Sequence, residues 1–281
     1  MNWECLSGDE FPEAVVKASR VCLLPLSCVE RHAGHLPLGT DTFIARETCL
    51  RAAVVEPAII FPDLIFTQIL EGRHCAGTIA LEPNLIIRLL ENICSEIARN
   101  GMDKIILVNS HGGNGHMLHF FVQSQLASPR NFVLYLAKPA LLEGDEPAIR
   151  SQWESVIDGH AGENETSQLL VIRPDLVDLS KIPGDDEGQA KSRLKAVRDA
   201  NLFTGMWWYA DHPSHYRGHA KYATAEKGER VLSARARALV EAIRVVKKDN
   251  VAKQLQQEFF AAASPATGAT AEPAKPGANL V

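Results

Sequence analysis

Two apolar runs, at 21–26 and 104–109, constrain the fold of this chain more than any other feature. Continuous apolar character is typical of strands that are buried on both faces of a sheet. The second run is followed by a helix pattern over 116–126 and by another strand pattern over 132–137. This order of strand, helix and strand predicts a parallel sheet in an α/β fold. Ligands bind such sheets at the carboxyl ends of the strands, so the segments after the two runs are candidates for a functional site.

The segment after the first run carries Glu30, His32 and Asp41. Residues two apart in extended backbone point to the same side, so Glu30 and His32 can converge on one ion. The prolines and glycines that follow can turn the chain back and bring Asp41 to them. Carboxylate and imidazole together are the usual ligands of zinc, manganese or iron in a hydrolytic site. This stretch alone leaves an alternative open, which is a polar loop with a hydrogen-bonded histidine and an exposed glutamate.

The segment after the second run reads Ser-His-Gly-Gly-Asn-Gly over 110–115, with His111 just beyond the expected strand. Its glycines could form a phosphate cradle, but the spacing matches neither of the two common nucleotide-binding patterns. We therefore expect the glycines to keep bulk away from His111, so that a metal and a substrate can approach it. His116 and His119 share a face of the following helix and are more typical of packing or surface positions than of ligands.

A third polar segment holds Asp158, His160, Glu163 and Glu165 ahead of an apolar stretch that predicts a helix. Acidic side chains stabilise a helix N-terminus, which accounts for one or two of these acids but not for the whole cluster. Metal binding or catalysis is therefore a second interpretation of this segment.

The rest of the chain has the pattern of one domain with a tail. Helices are expected at 43–55, 83–100 and 224–248, with a short strand at 58–61 and a charged surface segment at 175–199. The stretch 206–219 is rich in aromatic and histidine side chains, and a substrate pocket, a subunit contact and core packing all remain open for it. From 261 onward the composition cannot bury enough apolar area to offset the cost of ordering. We expect a single domain over 1–250 and a disordered tail over 261–281.

The composition excludes several function classes. With 29 basic and 34 acidic residues the net charge is -5, which lacks the basic footprint of a nucleic-acid binder. The acidic start is unlike a signal peptide, and no apolar run reaches the length of a membrane span. The six cysteines form no C-x-x-C pair, so we expect reduced thiols in a cytoplasmic protein. We thus expect neither nucleic acid nor a membrane as a partner.

Taken together, these segments resemble the creatininase family (creatinine amidohydrolase and relatives). The matching blocks are L-P-L-x-x-x-E-x-H-x-x-H-L-P-L-G-T-D-T at 24–42, H-x-x-G-T at 74–78, N-S-H-G-G-N at 109–114, H-A-G-E-x-E-T-S at 160–167 and, more weakly, A-T-A-E-K-G at 223–228. The blocks occur in the same order as in the family. A single block would not be a specific signal, but several separate blocks are.

The resemblance implies a three-layer α/β/α fold with a mostly parallel central sheet, in a homo-oligomer that is commonly a hexamer. It implies two divalent metal ions per chain, zinc or manganese, with iron as a third candidate. The implied activity is metal-dependent hydrolysis of a non-peptide C–N bond, in a cyclic amide or a formamide, within a small substrate. Two alternatives stay open: a peptidase of the same family that trims a cofactor-precursor peptide, and a non-catalytic ligand-binding member.

Carried over position by position, the resemblance also assigns roles to individual residues. The implied metal ligands are Glu30, His32, Asp41, His111 and Glu165, with Asp41 as the bridge between the ions. His160 is implied as the catalytic histidine, and we expect it to protonate the leaving nitrogen. We expect Glu163 to orient His160 or to relay its proton.

Two positions depart from creatininase itself. Gly113 stands where creatininase has a glutamate ligand, so either a ligand comes from elsewhere or one metal is bound more weakly. Val156, four positions before His160, stands where creatininase has a tryptophan. The Gly-Gly form of the loop fits the deformylase and peptidase branches of the family as well as it fits creatininase.

Overall fold

The computed structural model describes residues 1–137 and 145–263. Its strands are β1 (Val21–Leu26), β2 (Ile59–Ile60), β3 (Lys104–Asn109) and β4 (Val133–Ala137). They form a four-stranded sheet in the order β2-β1-β3-β4, and all neighbours are parallel. The expected parallel sheet is confirmed, and the two apolar runs are its central strands.

Ten α-helices accompany the sheet within the described residues. They are α1 (Phe11–Lys17), α2 (Thr40–Val55), α3 (Pro83–Arg99), α4 (Gly115–Ser124), α5 (Glu146–Arg150), α6 (Glu163–Ile172), α7 (Lys195–Asp199), α8 (Trp207–Asp211), α9 (Ala225–Lys248) and α10 (Val251–Ala263). None of them has both the length and the apolar character needed to cross a bilayer.

The helices cover both faces of the sheet. Successive residues of a strand point to opposite faces, and both faces of β1 and β3 are buried. On one face, Leu24 and Leu107 pack with the apolar sides of α3 and α4. On the other face, Leu23 and Val108 pack with α2 and α9. The expected three-layer α/β/α arrangement is therefore confirmed.

The packing of α9 fixes the position of α6 over one end of the sheet. Helix α9 begins after Thr224, whose hydroxyl accepts a hydrogen bond from the backbone N–H of Lys227. In its first turn, Gly228 lies against α6 so closely that a Cβ there would be 1.9 Å from the carbonyl oxygen of Ser167. Helices α9 and α6 both contact α2. The N-termini of α2 and α6 come together, because Asp41 and Glu165 in their first turns both lie within 4 Å of His32.

Two boundaries differ from those expected. Helix α2 begins at Thr40 and not at 43, so Asp41 lies in its first turn. Helix α10 has no counterpart in the sequence pattern; an ion pair of 2.8 Å between Lys253 and Asp103 ties it to the start of β3. It includes residues 261–263 of the expected tail, and the tail from 264 onward lies outside the described residues. The single domain over 1–250 stays a prediction.

Candidate metal centre

The candidate site lies at the carboxyl ends of the two central strands. Glu30 and His32 follow β1, and His111 follows β3. Asp41 lies in the first turn of α2 and Glu165 in the first turn of α6, so two helix N-termini complete the site. Glu165 is partly exposed, and the other four residues are buried. The fold thus brings the five expected metal ligands together from four separate parts of the chain.

Asp41 directs its two carboxylate oxygens to different imidazoles. Its Oδ2 lies 3.0 Å from Nδ1 of His111, and its Oδ1 lies 3.5 Å from Nε2 of His32. A carboxylate with one oxygen in each of two ligand sets can bridge two ions. This is the geometry that the expected bridging role of Asp41 requires.

The first ligand set consists of Glu30, Asp41 and His111. Oε1 of Glu30 lies 2.8 Å from Nδ1 of His111. The thiol of Cys28 lies beside this set and donates to Oε1 of Glu30 at 3.3 Å, with Oδ2 of Asp41 at 3.6 Å. Burial raises the pKa of Cys28, which keeps the thiol protonated as a donor. Sequence reasoning missed Cys28 because a lone buried cysteine has the pattern of a small core residue.

The second ligand set consists of His32, Asp41 and Glu165. Nδ1 of His32 donates to the carbonyl oxygen of Glu30 at 3.2 Å, which leaves Nε2 to face the carboxylates. This Nε2 is buried without a hydrogen-bond partner in the part of the chain that the structure describes. It lies 3.5 Å from Oδ1 of Asp41 and 3.7 Å from Oε2 of Glu165. Ligands about 2.0–2.2 Å from one ion lie roughly 3–3.6 Å apart, so the separation of His32 from Asp41 fits a shared metal ion and that from Glu165 lies just outside this range.

The charges of the site favour a cation at this point. Burial alone lowers the pKa of an imidazole, but the nearby carboxylate of Asp41, together with Glu30 and Glu165, outweighs burial and raises the pKa of His32 to about 9. Burial also raises the pKa of Glu165 to about 7, and the negative charge of Asp41 acts in the same direction. A proton or a metal ion between these carboxylates therefore lowers the free energy of the site.

His160 lies against both ligand sets. Its ring centroid is 4.3 Å from that of His32 and 4.5 Å from that of His215. Its Nε2 donates to the carbonyl oxygen of Arg31 at 2.8 Å, so Nδ1 is the nitrogen that can accept a proton. Burial lowers the pKa of His160 to about 3, and the imidazole is therefore neutral at neutral pH. Two backbone hydrogen bonds with Arg217 hold the loop that carries it.

The structure places Glu163 away from His160. Its buried carboxylate accepts hydrogen bonds from the backbone N–H groups of Glu154 and Ser155 and forms an ion pair with Lys227 of α9. Burial raises the pKa of Glu163, but these bonds outweigh it and hold the pKa below its ordinary value. Its carboxylate makes no hydrogen bond to His160 among the described residues, so Glu163 ties α6 to α9 instead of reaching the expected position.

The stretch 206–219, for which the sequence left three alternatives, contributes two buried residues to the site. Nε2 of His215 lies 2.6 Å from Oε2 of Glu30. The indole N–H of Trp208 donates to Nδ1 of His215 at 2.7 Å, so the proton of a neutral His215 must lie on Nε2, towards Glu30. No local motif marks this pair, because the contact joins residues that are far apart in the chain.

The other motif residues hold loops in place. Nε2 of His74 donates to the carbonyl oxygen of Pro213 at 2.9 Å, and Thr78 accepts a hydrogen bond from the backbone of Arg31. His119 is exposed and bonds within its own helix, in agreement with its expected non-ligand position.

Two cavities meet at the site. A cavity of about 520 Å³ is lined by four of the five expected metal ligands, namely Glu30, Asp41, His111 and Glu165, but not by His32. His160 and Arg235 also line it. A second cavity of about 970 Å³, here called the apolar groove, adjoins it at Glu71, Gly112, Gly113 and Trp207 and is walled by Met117, Phe203, Met206, Trp207 and Tyr209. Val156 is 96% exposed and lines neither of them.

Comparisons with known proteins agree with this fold. A family model described as creatinine amidohydrolase matches residues 4–243. The chain is 25% identical to creatinine amidohydrolase of Pseudomonas putida over 194 residues, which cover 63% of this chain and 74% of the relative. It is 28% identical to the mycofactocin precursor peptide peptidase of Mycobacterium ulcerans over 223 residues, or 75% of this chain and 79% of the relative. A solved structure of creatininase with manganese matches with a TM-score of 0.69 at 22% identity, covering 88% of this chain and 99% of that one.

Proposed function

The chain belongs to the creatininase family, and on this premise we propose that it is a metal-dependent amidohydrolase that cleaves a non-peptide C–N bond in a small substrate. The observation that carries the proposal is the position of Asp41, whose two oxygens lie 3.5 Å from His32 and 3.0 Å from His111. Three carboxylates and two imidazoles lie together here, four of them around one cavity, and they match the ligand types of a hydrolytic metal site.

We assign one metal ion to Glu30, Asp41 and His111, and the other to His32, Asp41 and Glu165. Both sets offer oxygen and nitrogen atoms, which suit zinc and manganese, with iron as a third candidate. Bound there, the ions would lower the pKa of a water molecule and polarise the amide carbonyl. Manganese is the metal of the solved creatininase structure to which the chain is similar.

His160 moves the proton in this proposal. Because its imidazole already donates from Nε2 to the carbonyl oxygen of Arg31, Nδ1 is the nitrogen that can accept the proton that water loses as the C–O bond forms. As the C–N bond breaks, the same proton passes from Nδ1 to the leaving nitrogen. His160 therefore acts first as the base and then as the acid expected from the sequence.

The proposal is tested by hydrolysis assays on a panel of amides. Creatinine, a second lactam, a formamide and short peptides are incubated with the protein reconstituted with zinc or manganese. We expect turnover of at least one lactam or formamide, and its loss when Asp41 is replaced by Asn. The control variant His119→Ala, which changes an exposed histidine outside the site, should retain the turnover. Bound metal without turnover on any amide would favour the non-catalytic alternative.

The apolar groove favours a second candidate, the trimming of a peptide. A groove of about 970 Å³ beside the metal centre is larger than a small lactam requires, and its exposed Phe203 and Met206 could contact side chains of a longer substrate. A peptidase is among the relatives of the chain. If the substrate is a peptide, Phe203→Ser should lower kcat/KM for peptides and leave that for formamides unchanged.

We also propose the cellular setting that the resemblance implies, a cytoplasmic homo-oligomer of six chains. All six cysteines are free in the structure, which agrees with a reducing compartment. Light scattering of the purified protein measures the number of chains in the assembly.

A further inference from the structure

Glu71 fills the space that a side chain at Gly113 would occupy. A Cβ at position 113 would lie 2.3 Å from Oε1 of Glu71 and 2.5 Å from Nε2 of His111. Both separations are far below any van der Waals contact, so only glycine fits there without moving one of the two groups. The carboxylate of Glu71 and the imidazole of His111 therefore border the same point.

The Glu71 carboxylate is held in this place by Gln68. The side-chain amide of Gln68 donates to Oε2 of Glu71 at 2.9 Å and to the carbonyl oxygen of Gly113 at 3.1 Å. The backbone N–H of Gln68 donates to the side chain of Asn114 at 3.1 Å, which links the two loops a second time. Glu71 is thus positioned over the Gly113 loop and does not extend into solvent.

The imidazole of His111 has one nitrogen, Nε2, that faces away from the ligand set and can donate its N–H to a carboxylate. Its Nδ1 faces Glu30 and Asp41 at 2.8 and 3.0 Å, so Nε2 points away from the ligand set. Nε2 is buried and has no hydrogen-bond partner within the described residues. A histidine that binds a metal through one nitrogen usually donates the N–H of the other to a carboxylate, which fixes the ring and raises its basicity. Oε1 of Glu71 lies across the Gly113 position from this nitrogen, within 5 Å of it but not hydrogen-bonded to it.

We propose that Glu71 is a positioning residue for His111: with the metal bound, the carboxylate closes on the imidazole and accepts its Nε2–H, so that Nδ1 stays directed at the metal. This role rests on the metal centre proposed above. It also explains why position 113 is glycine, since any side chain there would push Glu71 away from the imidazole.

The test compares zinc affinities of the full-length chain by competition with a chromogenic chelator. We expect Glu71→Gln to weaken one zinc site by about 10–100-fold, the usual cost of losing such a partner. Gly113→Ala, whose added carbon would meet both Glu71 and His111, should weaken the same site, and the double variant should be no weaker than Gly113→Ala alone. The matched control is Glu226→Gln, at an exposed carboxylate of α9.

A spectroscopic readout separates positioning from a general effect on folding. We expect an imidazole N–H proton resonance of His111 that exchanges slowly in the zinc-loaded wild type and is lost in Glu71→Gln, while the thermal midpoint in chelator stays unchanged. Wild-type zinc affinity in Glu71→Gln would overturn the role of Glu71 alone. A wild type that binds no zinc, or zinc affinity unaffected by Asp41→Asn, would overturn the metal centre and this proposal with it.

Discussion

His215 lies 2.6 Å from Glu30 through Nε2 and Oε2, although 185 positions separate the two residues in the chain. The indole of Trp208 completes the arrangement by donating to the other nitrogen of His215. A carboxylate that serves as a metal ligand is commonly held by an outer hydrogen bond of this kind. The aromatic and histidine-rich stretch is thus connected to the first ligand set by one short contact.

This relationship predicts that Trp208→Phe weakens metal binding. Without the indole donor, the proton of His215 can move to Nδ1, and Nε2 then no longer donates to Glu30. We expect zinc affinity to fall by about tenfold or more, measured by chelator competition. Trp207→Phe is the matched control, since its neighbouring indole makes no hydrogen bond within the described residues. Equal affinities in the two variants would contradict the account.

Removal of the His160 imidazole should separate metal binding from catalysis. His160 contributes no atom to the two proposed ligand sets but accepts and delivers a proton in the proposed reaction. His160→Ala should therefore keep the metal content of the wild type and lose about 10²–10⁴-fold in kcat. Metal content is measured by elemental analysis and kcat on the best amide of the panel. Unchanged kcat would remove His160 from the reaction.

The chelator-treated protein should lose stability as the pH rises above neutrality. The pKa of His32 is raised from 6.5 to about 9, so its contribution to folding is complete below pH 6.5 and is lost as the pH approaches 9. The pKa of Glu165 is raised from 4.5 to about 7, so its contribution to folding is also lost as the pH rises, but over a lower pH range. We expect the thermal midpoint to fall by about 5–10 °C between pH 6.5 and 9.

The variant His32→Gln serves as the control for this pH profile. It has no imidazole to deprotonate, so its midpoint should change much less over the same interval. Parallel profiles of the wild type and His32→Gln, recorded by differential scanning calorimetry in chelator, would show that another group causes the loss of stability.

Gly228→Ala should destabilise the fold and disturb the site. A Cβ at 228 would meet the carbonyl oxygen of Ser167 at 1.9 Å, so α6 and α9 would have to move apart. We expect the free energy of unfolding to fall by about 1–3 kcal/mol in urea titrations, together with weaker metal binding through Glu165. Gly184→Ala, with no atom within 4 Å of the added carbon, is the control. Equal stability of the two variants would contradict this account of the helix contact.

The central strands could be predicted from the sequence to the residue, because a strand buried on both faces leaves an uninterrupted apolar run. The start of α2 could not be predicted from the sequence, because the residue before it is Gly39, which has no side chain to cap the helix. No other local signal marks the first turn. This boundary matters for the site, because it places Asp41 at a helix N-terminus.

The candidate ligands could be identified from the sequence because they lie within the motifs. The residues that hold these ligands in place could not be identified in this way. Cys28 has the pattern of a core residue, and only the tertiary fold brings Glu71, Trp208 and His215 to the ligand sets. The same limit explains Glu163, which we expected to orient His160 or relay its proton. Its carboxylate instead pairs with Lys227 on another helix.

The central claim is a two-metal centre bridged by Asp41, and elemental analysis tests it most directly. The protein is purified without added metal or chelator, with the wild type beside Asp41→Ala, and circular dichroism verifies that the variant is folded. The account predicts close to two divalent ions per wild-type chain and the loss of both in the variant. Two ions retained in Asp41→Ala, or no metal in the wild type even after zinc and manganese are added back, would contradict it.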